Sequence, residues 1–283
     1  MTQEKHTVKT IQDMRDQDET ITMLTAYDYP TAKQINDAGI DMILVGDSCA
    51  MVVHGHPNTL TATMDMMVLH CAAVARACTR TMVIADMPFG SFQYGTEETM
   101  KNAARFVTEA KVDGVKFEAT HNHIEKTRAV VEMGIAVVGH VGLHPQAVGT
   151  LGGMTVQGRS VETARKVVRE ALALQDAGVF AIIFEAVPAK LSAYVTKKLR
   201  VPTISIGGGP DCSGQLLVTP DVLGMYDSFT PSFAKRYQEF NKLMAETFTQ
   251  YAQEVRTGVF PGKEHSYKMS DEVMEAIEKE FGA

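Results

Sequence analysis

The sequence has few of the features that mark secreted, membrane or nucleic-acid-binding proteins. Its 283 residues include no tryptophan and only four cysteines. No segment approaches the roughly 18 to 20 uninterrupted apolar residues of a membrane span, and the polar start MTQEKHTVKT has no apolar core of a signal peptide. The 34 acidic residues outnumber the 27 basic ones, which form no stripe for a phosphate backbone. We therefore expect a soluble, cytoplasmic protein without a membrane or nucleic-acid partner.

Cysteine usage also argues against disulfides and zinc. Cys49, Cys71, Cys78 and Cys212 form no C-x-x-C pair, and a chain of this length does not depend on disulfide bonds for its core. Cys71 and Cys78 are seven residues apart on a predicted helix, which favours small apolar core residues over a metal site. No G-x-S-x-G nucleophile elbow and no full dinucleotide fingerprint is present. We expect all four thiols to be reduced.

Short apolar segments alternate with longer stretches of helical periodicity. Strands are predicted at 21–28, 41–47, 81–88, 114–119, 136–142, 181–187, 202–209 and 216–224. Helices are predicted at 30–39, 63–78, 96–112, 122–134, 160–178 and 188–200. Strands that alternate with helices pair in parallel, and eight such units favour a closed (β/α)₈ barrel over an open doubly wound sheet. The last connection, 210–215, is too short for a helix.

The chain divides into three predicted parts of one domain. Residues 1–20 form an N-terminal segment that packs on the barrel, residues 21–230 form the (β/α)₈ barrel, and residues 231–283 form a C-terminal helical extension. Within the extension, 231–258 predicts a long amphipathic helix and 270–281 a short one. We expect these helices to pack on the barrel or on a neighbouring subunit.

Polar and ionisable side chains end most of the predicted strands. In barrel enzymes, residues at the carboxyl ends of the strands project into the mouth and carry the chemistry. In strand order, these residues are Tyr27 and Asp28, Asp47 and Ser48, Asp86, Lys116 and Glu118, His140, and Glu185. Burying one such group unpaired costs several kcal/mol. Their equivalent positions therefore indicate a shared polar site.

Three of these residues suggest a metal site. Asp47, Asp86 and Glu118 form an all-oxygen set, which suits Mg²⁺ and lacks the thiolates or paired imidazoles that favour zinc. Mg²⁺ held by one or two carboxylates leaves positions for a bidentate ligand such as a 2-oxo acid. The alternative is that each carboxylate caps the following helix or pairs with an arginine. Three carboxylates at strand ends together favour the metal.

Glu185 is the predicted general base. It follows the apolar run AIIF, which should desolvate the carboxylate and raise its pKa. The alternative is a structural carboxylate bonded to a backbone amide. Lys116 could neutralise a substrate carboxylate or a developing enolate, and His140 is either a buried hydrogen-bonding residue or a substrate contact. IGGGP (206–210) predicts a close-approach loop near a ligand, although Pro210 removes one amide donor.

Long motifs in order along the chain resemble one enzyme family. They are TAYDYPTA (25–32), VGDSCAMVVHGHPNTL (45–60), ADMPFGSF (85–92), VKFEA (115–119), GHVGLHPQ (139–146), GGMTVQGR (152–159), FEAVP (184–188), IGGGPDCSGQLLV (206–218) and FPGKEHSY (260–267). The stretch from about residue 8 to residue 268 resembles the ketopantoate hydroxymethyltransferases, also called 3-methyl-2-oxobutanoate hydroxymethyltransferases.

The resemblance implies a fold, an activity and an assembly. The family is a (β/α)₈ TIM barrel of the phosphoenolpyruvate mutase/isocitrate lyase type with extra C-terminal helices, and it forms homo-oligomers, typically decamers. Its members use Mg²⁺ and transfer the one-carbon unit of 5,10-methylenetetrahydrofolate to 3-methyl-2-oxobutanoate. The products are 2-dehydropantoate, for pantothenate biosynthesis, and tetrahydrofolate.

The resemblance also implies roles for individual residues. Asp47 and Asp86 match the metal ligands, with Glu118 completing the site through water, and Glu185 matches the proton acceptor. Residues that match contacts to the oxo acid are Asp47, Ser48, Asp86 and Lys116. His140 and Tyr27 fall on positions of the family's site.

The sequence departs from the family pattern at Pro57, Asn58, His144 and Ser213. We expect these departures to affect folate docking and specificity at the rim of the mouth. Two other functions remain open from the residues. One is a Mg²⁺-dependent lyase or mutase of the same superfamily, although the cysteine loop expected of such a lyase is absent. The other is a catalytically silent barrel that binds an oxo acid or a folate as a sensor.

Overall fold

Eight parallel strands close into a barrel in the computed structural model, which describes residues 4–151, 153–226 and 231–282. The strands follow the order of the chain, and the last pairs with the first. They are β1 (Ile21–Thr25), β2 (Met42–Val45), β3 (Met82–Asp86), β4 (Gly114–Lys116), β5 (Ala136–Gly142), β6 (Ala181–Glu185), β7 (Thr203–Ile206) and β8 (Gly214–Leu217). The predicted (β/α)₈ barrel is confirmed.

Helices surround the barrel and continue beyond it. They are α1 (Val8–Asp16), α2 (Tyr29–Asp37), α3 (Cys49–Val52), α4 (Met64–Ala77), α5 (Thr96–Thr108), α6 (Ile124–Glu132), α7 (Val148–Leu151), α8 (Val161–Asp176), α9 (Ala189–Thr196), α10 (Thr219–Leu223), α11 (Phe240–Thr257) and α12 (Asp271–Phe281). No helix among the described residues has the length and apolar character needed to cross a membrane.

Two element predictions are wrong near the end of the barrel. The predicted strand 216–224 is instead β8, ending at Leu217, followed by the helical turn α10. Pro220 lies in the first turn of α10, where its missing N–H costs nothing, whereas in a strand it would interrupt the ladder. The predicted helix 231–258 begins only at Phe240. Residues 227–230, at the predicted barrel boundary, lie outside the described residues, as does Gly152 of the GGMTVQGR motif.

The barrel is filled by apolar side chains and closed at its amino end. Ile21, Met42 and Met82, at the starts of three strands, are fully or almost fully buried and share one core cluster with Ile11 of α1. Ile11 has no exposed surface, so α1 covers the amino-terminal end of the barrel. A second, larger cluster lies between the strands and the surrounding helices. This packing leaves the carboxyl ends of the strands as the open mouth.

The C-terminal helices differ from the rest of the chain in their burial. Neither α11 nor α12 has a buried residue. Both expose large apolar side chains, including Phe248, Tyr251 and Ile277. The division of the chain into three parts stays a prediction. All four cysteines are free and buried, as expected of core thiols.

Candidate active site

The carboxyl ends of the strands surround a cavity of about 980 Å³, its open mouth included. Seven of the residues singled out from the sequence line it. They are Asp47, Ser48, Asp86, Lys116, Glu118, His140 and Glu185. These residues lie close together because the carboxyl ends of parallel strands are at the same end of the barrel. Asp86 of β3, for example, is paired in register with Lys116 of β4.

Asp86 and Lys116 form a buried ion pair in the floor of this cavity. Lys116 Nζ lies 3.0 Å from each carboxylate oxygen of Asp86. Burial raises the pKa of Asp86 to about 7, against the opposing effect of Lys116. For Lys116, burial alone would lower the pKa, but Asp86, Glu118 and Asp47 together keep it above its usual value. Lys116 is therefore a cation at neutral pH.

Asp47 lies beside this pair. Its backbone N–H donates to Asp86 Oδ2 at 3.2 Å, which ties the Asp86 carboxylate to the end of β2. Burial raises the pKa of Asp47, and Lys116 is the largest opposing influence. Two adjacent buried carboxylates with one lysine leave an excess of negative charge, which favours a further cation.

Glu118 lies two residues beyond the end of β4 and is also buried. Its Oε2 accepts a hydrogen bond from the backbone N–H of Gln146 at 3.1 Å, whereas its Oε1 is buried without a hydrogen-bond partner. Burial raises its pKa well above the usual range. The unpartnered oxygen indicates that a donor or a cation is missing from its surroundings.

Gln146 is a site residue that the sequence reasoning missed. Its side-chain N–H groups donate to Asp47 Oδ2 at 2.9 Å and to the carbonyl of Met87 at 3.0 Å. With its backbone bond to Glu118, it joins the ends of β2, β3 and β4. The GHVGLHPQ motif contained the residue, but only the fold shows that its amide reaches a carboxylate 99 positions away.

Asp47 and Asp86 provide a donor set that suits Mg²⁺. Among the described residues, no group of three histidine, cysteine, aspartate or glutamate side chains is already placed to hold a metal. Asp86 pairs with Lys116 and Glu118 bonds to Gln146, and the set of three metal ligands stays a prediction. Asp47 and Asp86 remain adjacent and all-oxygen, and Mg²⁺ is commonly bound through one or two carboxylates plus water and substrate.

Replacing Gln146 by Met should weaken Mg²⁺ binding while leaving the barrel folded. The change removes the donor that fixes Asp47, and loss of such an outer-shell partner lowers metal affinity by about 10- to 100-fold. Calorimetric titration with Mg²⁺ measures the effect. Gln253, exposed on α11, offers a matched Gln→Met control. Equal affinities for the two variants would show that Gln146 does not orient the carboxylate.

Glu185, at the end of β6, is the most isolated carboxylate of the site. Burial raises its pKa to about 7, partly opposed by Lys116. Among the described residues, no backbone amide donates to its side chain, which removes the structural alternative considered above. His140 Nε2 lies 3.2 Å from Glu185 Oε2, and burial together with Lys116 lowers the pKa of this histidine well below its usual value. A neutral imidazole therefore adjoins the carboxylate.

Ser48 lines the cavity at the end of β2, and Tyr27 contacts it from behind. The phenol oxygen of Tyr27 lies 2.9 Å from Ser48 Oγ, and burial raises the pKa of Tyr27, so the phenol stays neutral. Tyr27 thus lies behind Ser48 and reaches the cavity through it. Asp28 instead accepts a hydrogen bond from Thr31 N–H as the N-cap of α2, so it is structural.

One of the four departures from the family pattern lies at the amino end of the barrel, away from the mouth. Ser213 precedes β8 and bonds to Thr203 at the start of β7, so it lies at the amino end of the barrel. His144 is buried behind His140, with its Nε2 3.1 Å from the carbonyl of His140. The expectation that Ser213, at the amino end, shapes the rim is therefore wrong. Asn58 caps the turn that carries Thr59, which does line the cavity.

Comparison with known proteins gives consistent results over nearly the whole chain. The sequence model of the family described as ketopantoate hydroxymethyltransferase matches residues 5–263. A 3-methyl-2-oxobutanoate hydroxymethyltransferase of Acetivibrio thermocellus is 46% identical over 98% of this chain and 98% of its own. The enzyme of that name from Enterococcus faecalis is 46% identical over 96% of this chain and 99% of its own.

Solved structures show the same barrel in more distant proteins. A phosphonopyruvate hydrolase superposes with a TM-score of 0.59 at 14% identity, covering 98% of this chain and 99% of its own. A 2,3-dimethylmalate lyase, a member of the phosphoenolpyruvate mutase/isocitrate lyase superfamily, gives 0.59 at 16% identity, covering 96% and 98%. These likenesses agree with the (β/α)₈ barrel fold.

Proposed function

The chain belongs to the ketopantoate hydroxymethyltransferase family, and from this premise we propose that it transfers the one-carbon unit of 5,10-methylenetetrahydrofolate to 3-methyl-2-oxobutanoate. The products are 2-dehydropantoate and tetrahydrofolate, in pantothenate biosynthesis. The observation that carries the proposal is the placement of Glu185: a partly buried carboxylate, with its pKa raised to about 7, that lines the same cavity as Lys116 and the Asp47–Asp86 pair.

The residues in the floor of the cavity bind the oxo acid. Asp47 and Asp86 would hold Mg²⁺, with Glu118 nearby in its outer surroundings. The chemistry that Mg²⁺ supplies at such a site is polarisation of the ketone, which acidifies C3. Lys116, a buried cation, offsets the charge of the oxo acid and of the enolate, and Ser48 offers a hydroxyl fixed by Tyr27.

Glu185 removes the C3 proton of the oxo acid. A base with a pKa near 7 is half deprotonated at neutral pH, which balances availability against basicity. Neutral His140 lies with its Nε2 3.2 Å from Glu185 Oε2, so an uncharged ring adjoins the base. The low pKa of His140 keeps it from becoming a cation that would reduce the basicity of the carboxylate.

Carbon–carbon bond formation follows from the enolate. In the balanced reaction, the oxo acid, methylenetetrahydrofolate and water give 2-dehydropantoate and tetrahydrofolate. The bond from C3 to the former methylene carbon forms, both carbon–nitrogen bonds of that carbon are lost, and water supplies the hydroxyl oxygen.

Isotope transfer tests this reaction directly. The protein is incubated with Mg²⁺, 3-methyl-2-oxobutanoate and methylenetetrahydrofolate labelled with ¹³C at the methylene. The expected result is a ¹³C hydroxymethyl signal of 2-dehydropantoate in the carbon NMR spectrum. Consumption of the oxo acid without that label would point to a lyase or mutase reaction, and no consumption at all would point to a silent barrel.

The pH dependence of C3 proton exchange should report on Glu185. Its pKa is raised to about 7, and the carboxylate must be deprotonated to act. Activity is therefore present above pH 7 and falls about tenfold per pH unit well below it. Exchange of the oxo acid in D₂O at saturating Mg²⁺ measures the profile, with substrate affinity followed in parallel. A flat rate between pH 5.5 and 8 would contradict the assignment.

We also propose that the chain forms a homo-oligomer, as the family's decamers suggest. The support on this molecule is the apolar surface of α11 and α12, which includes Phe248, Tyr251 and Ile277 and has no buried residue. Exposed apolar faces of this kind commonly mark interfaces. Light scattering on the purified chain distinguishes a decamer from a monomer. The cytoplasmic location stays a prediction.

A further inference from the structure

One wall of the cavity is unused by the proposed chemistry of the oxo acid. It consists of five described residues in and near α10, and we call it the α10 wall: Val218, Asp221, Tyr226, Pro231 and Phe233. Four of these residues are apolar or aromatic, and Asp221 is the single carboxylate among them. The wall therefore combines a flat apolar surface with one anionic acceptor.

Asp221 lacks the partners that a buried carboxylate normally has. It is 6% exposed, and within the described part of the chain its carboxylate makes no hydrogen bond or ion pair. Burial raises its pKa, and the charge of Arg236 opposes that shift. Asp221 lines the cavity, so its carboxylate can be reached by a ligand bound there. A carboxylate that no protein group pairs directly can accept hydrogen bonds from donors of such a ligand.

Hydrogen bonds at both ends of α10 fix the position of Asp221. Thr219 at its start donates from Oγ1 to the carbonyl of Thr25 at 2.5 Å, and from its backbone N–H to Thr25 Oγ1 at 3.0 Å. Near its end, the carbonyl of Val222 accepts from Tyr237 N–H at 2.8 Å. The carboxylate is therefore carried by an element anchored to β1, as a preorganised binding residue requires.

The aromatic part of the α10 wall is held by the glycine loop after β7. A Cβ on Gly207, whose φ is +75°, would lie 2.7 Å from the ring of Phe233. The glycine thus admits the ring, and the close approach predicted for IGGGP is made by this side chain. The ring of Phe233 is held on one side while the residue remains 40% exposed, so a face is available for stacking.

We propose that the α10 wall binds the pterin ring of the folate co-substrate, with Asp221 accepting hydrogen bonds from the adjacent N3–H and 2-amino groups of its pyrimidinone. A carboxylate can accept two parallel N–H donors, and a flat heterocycle can stack on Tyr226 or Phe233. This inference rests on the proposed function and deepens it.

The charges of Lys116 and Asp221 favour different positions for the two substrates in the cavity. The oxo acid is an anion, so it is attracted to Lys116 and repelled by Asp221. The pterin ring is neutral and presents donors, so it suits an acceptor on an apolar wall. A pterin held there would present its methylene carbon from the side of α10 toward the enolate formed near Glu185, since both residues line the same cavity.

The test is binding of tetrahydrofolate to the Mg²⁺-loaded protein, measured by calorimetric titration for the natural chain and for Asp221→Asn. Loss of a charged acceptor should weaken binding by about 10- to 100-fold. Asp211→Asn, at an exposed position, is the matched control and should bind normally. Phe233→Leu provides a second variant that leaves the α10 carboxylate in place, and it should also weaken binding.

Two further readouts separate a binding role from a merely structural one. Asp221→Asn should raise the KM for methylenetetrahydrofolate far more than the KM for the oxo acid, whereas Asp211→Asn should leave both KM values and C3 proton exchange within about twofold of the natural values. A folate analogue with a methyl group in place of the 2-amino group should lose affinity for the natural protein but not for Asp221→Asn. The analogue therefore probes the hydrogen bond itself.

The outcomes distinguish this inference from the proposed function. Equal tetrahydrofolate affinity in Asp221→Asn, Phe233→Leu and the natural chain would overturn the α10 wall as the pterin site, even if turnover were normal. Weakened binding in both variants would support it, even if labelled product were never formed and the proposed reaction had to be abandoned. Absence of any tetrahydrofolate binding by the natural protein would overturn both.

Discussion

Turnover should fall by about 10²- to 10⁴-fold when Glu185 is replaced by Gln, the usual contribution of a positioned general base. The substitution keeps the shape of the side chain and its proximity to His140, but it removes the atom that accepts the C3 proton. Among the described residues, no group forms a hydrogen bond with the Glu185 side chain, which lies 3.2 Å from His140 Nε2, so the fold should not depend on its charge. The expected loss is therefore in kcat, with little change in the KM for the oxo acid.

Controls make this result specific. Glu162→Gln, at an exposed position in the first turn of α8, should leave turnover unchanged. Thermal unfolding and Mg²⁺ affinity should be the same for both variants. Near-normal turnover of Glu185→Gln would show that another group removes the proton. A parallel loss of Mg²⁺ binding would instead place Glu185 among the groups that hold the metal.

Replacing Lys116 by Met should destabilise the protein by about 3–5 kcal/mol at neutral pH, the cost of leaving a buried charge without its partner. Lys116 contacts both oxygens of Asp86 and also offsets the charges of Asp47 and Glu118. Met retains much of the apolar side-chain volume, so the change removes mainly the charge. Chemical denaturation measures the free energy of unfolding.

The pH dependence of this loss has a definite sign. The carboxylates of the cluster have pKa values raised by burial, so they bind protons more tightly in the folded state than in the unfolded chain. Without Lys116 their ionisation is still less favourable. The destabilisation should therefore grow as pH rises above 7 and shrink toward pH 5, where the carboxylates are protonated.

Lys9→Met is the matched control for this comparison. Lys9 pairs with Asp13 on the exposed face of α1, with 81% of its side chain accessible. Exposed pairs contribute about 0–1 kcal/mol. A Lys116→Met variant as stable as Lys9→Met, with the same pH dependence, would show that the buried carboxylates do not depend on Lys116.

Much of the site could be predicted from the sequence, because the barrel topology brings the ends of its strands together. Once β2, β3, β4 and β6 are parallel strands of one barrel, the residues at their carboxyl ends must share one mouth. That reasoning places Asp47, Asp86, Lys116 and Glu185 together without any knowledge of side-chain geometry. It also assigns an apolar environment to Glu185, since the preceding residues are aliphatic or aromatic.

The details that the sequence could not supply are those that depend on loops and rotamers. Gln146 lies in the loop after β5, where no periodicity fixes the direction of its amide. Asp221 lies in a segment predicted as a strand, and its isolation in the wall becomes visible only with the helical turn α10. The assignment of Ser213 to the rim was wrong because Ser213 directly precedes β8 and bonds to Thr203 at the start of β7, which places it at the amino end of the barrel.

The central claim is that this cavity removes the C3 proton of 3-methyl-2-oxobutanoate with metal assistance. Proton NMR of the oxo acid in D₂O, with the purified protein and Mg²⁺ but no folate, tests it most directly. The expected result is loss of the C3 proton signal, which stops when EDTA removes the metal. Persistence of that signal, both before and after methylenetetrahydrofolate is added to the same tube, would contradict the claim.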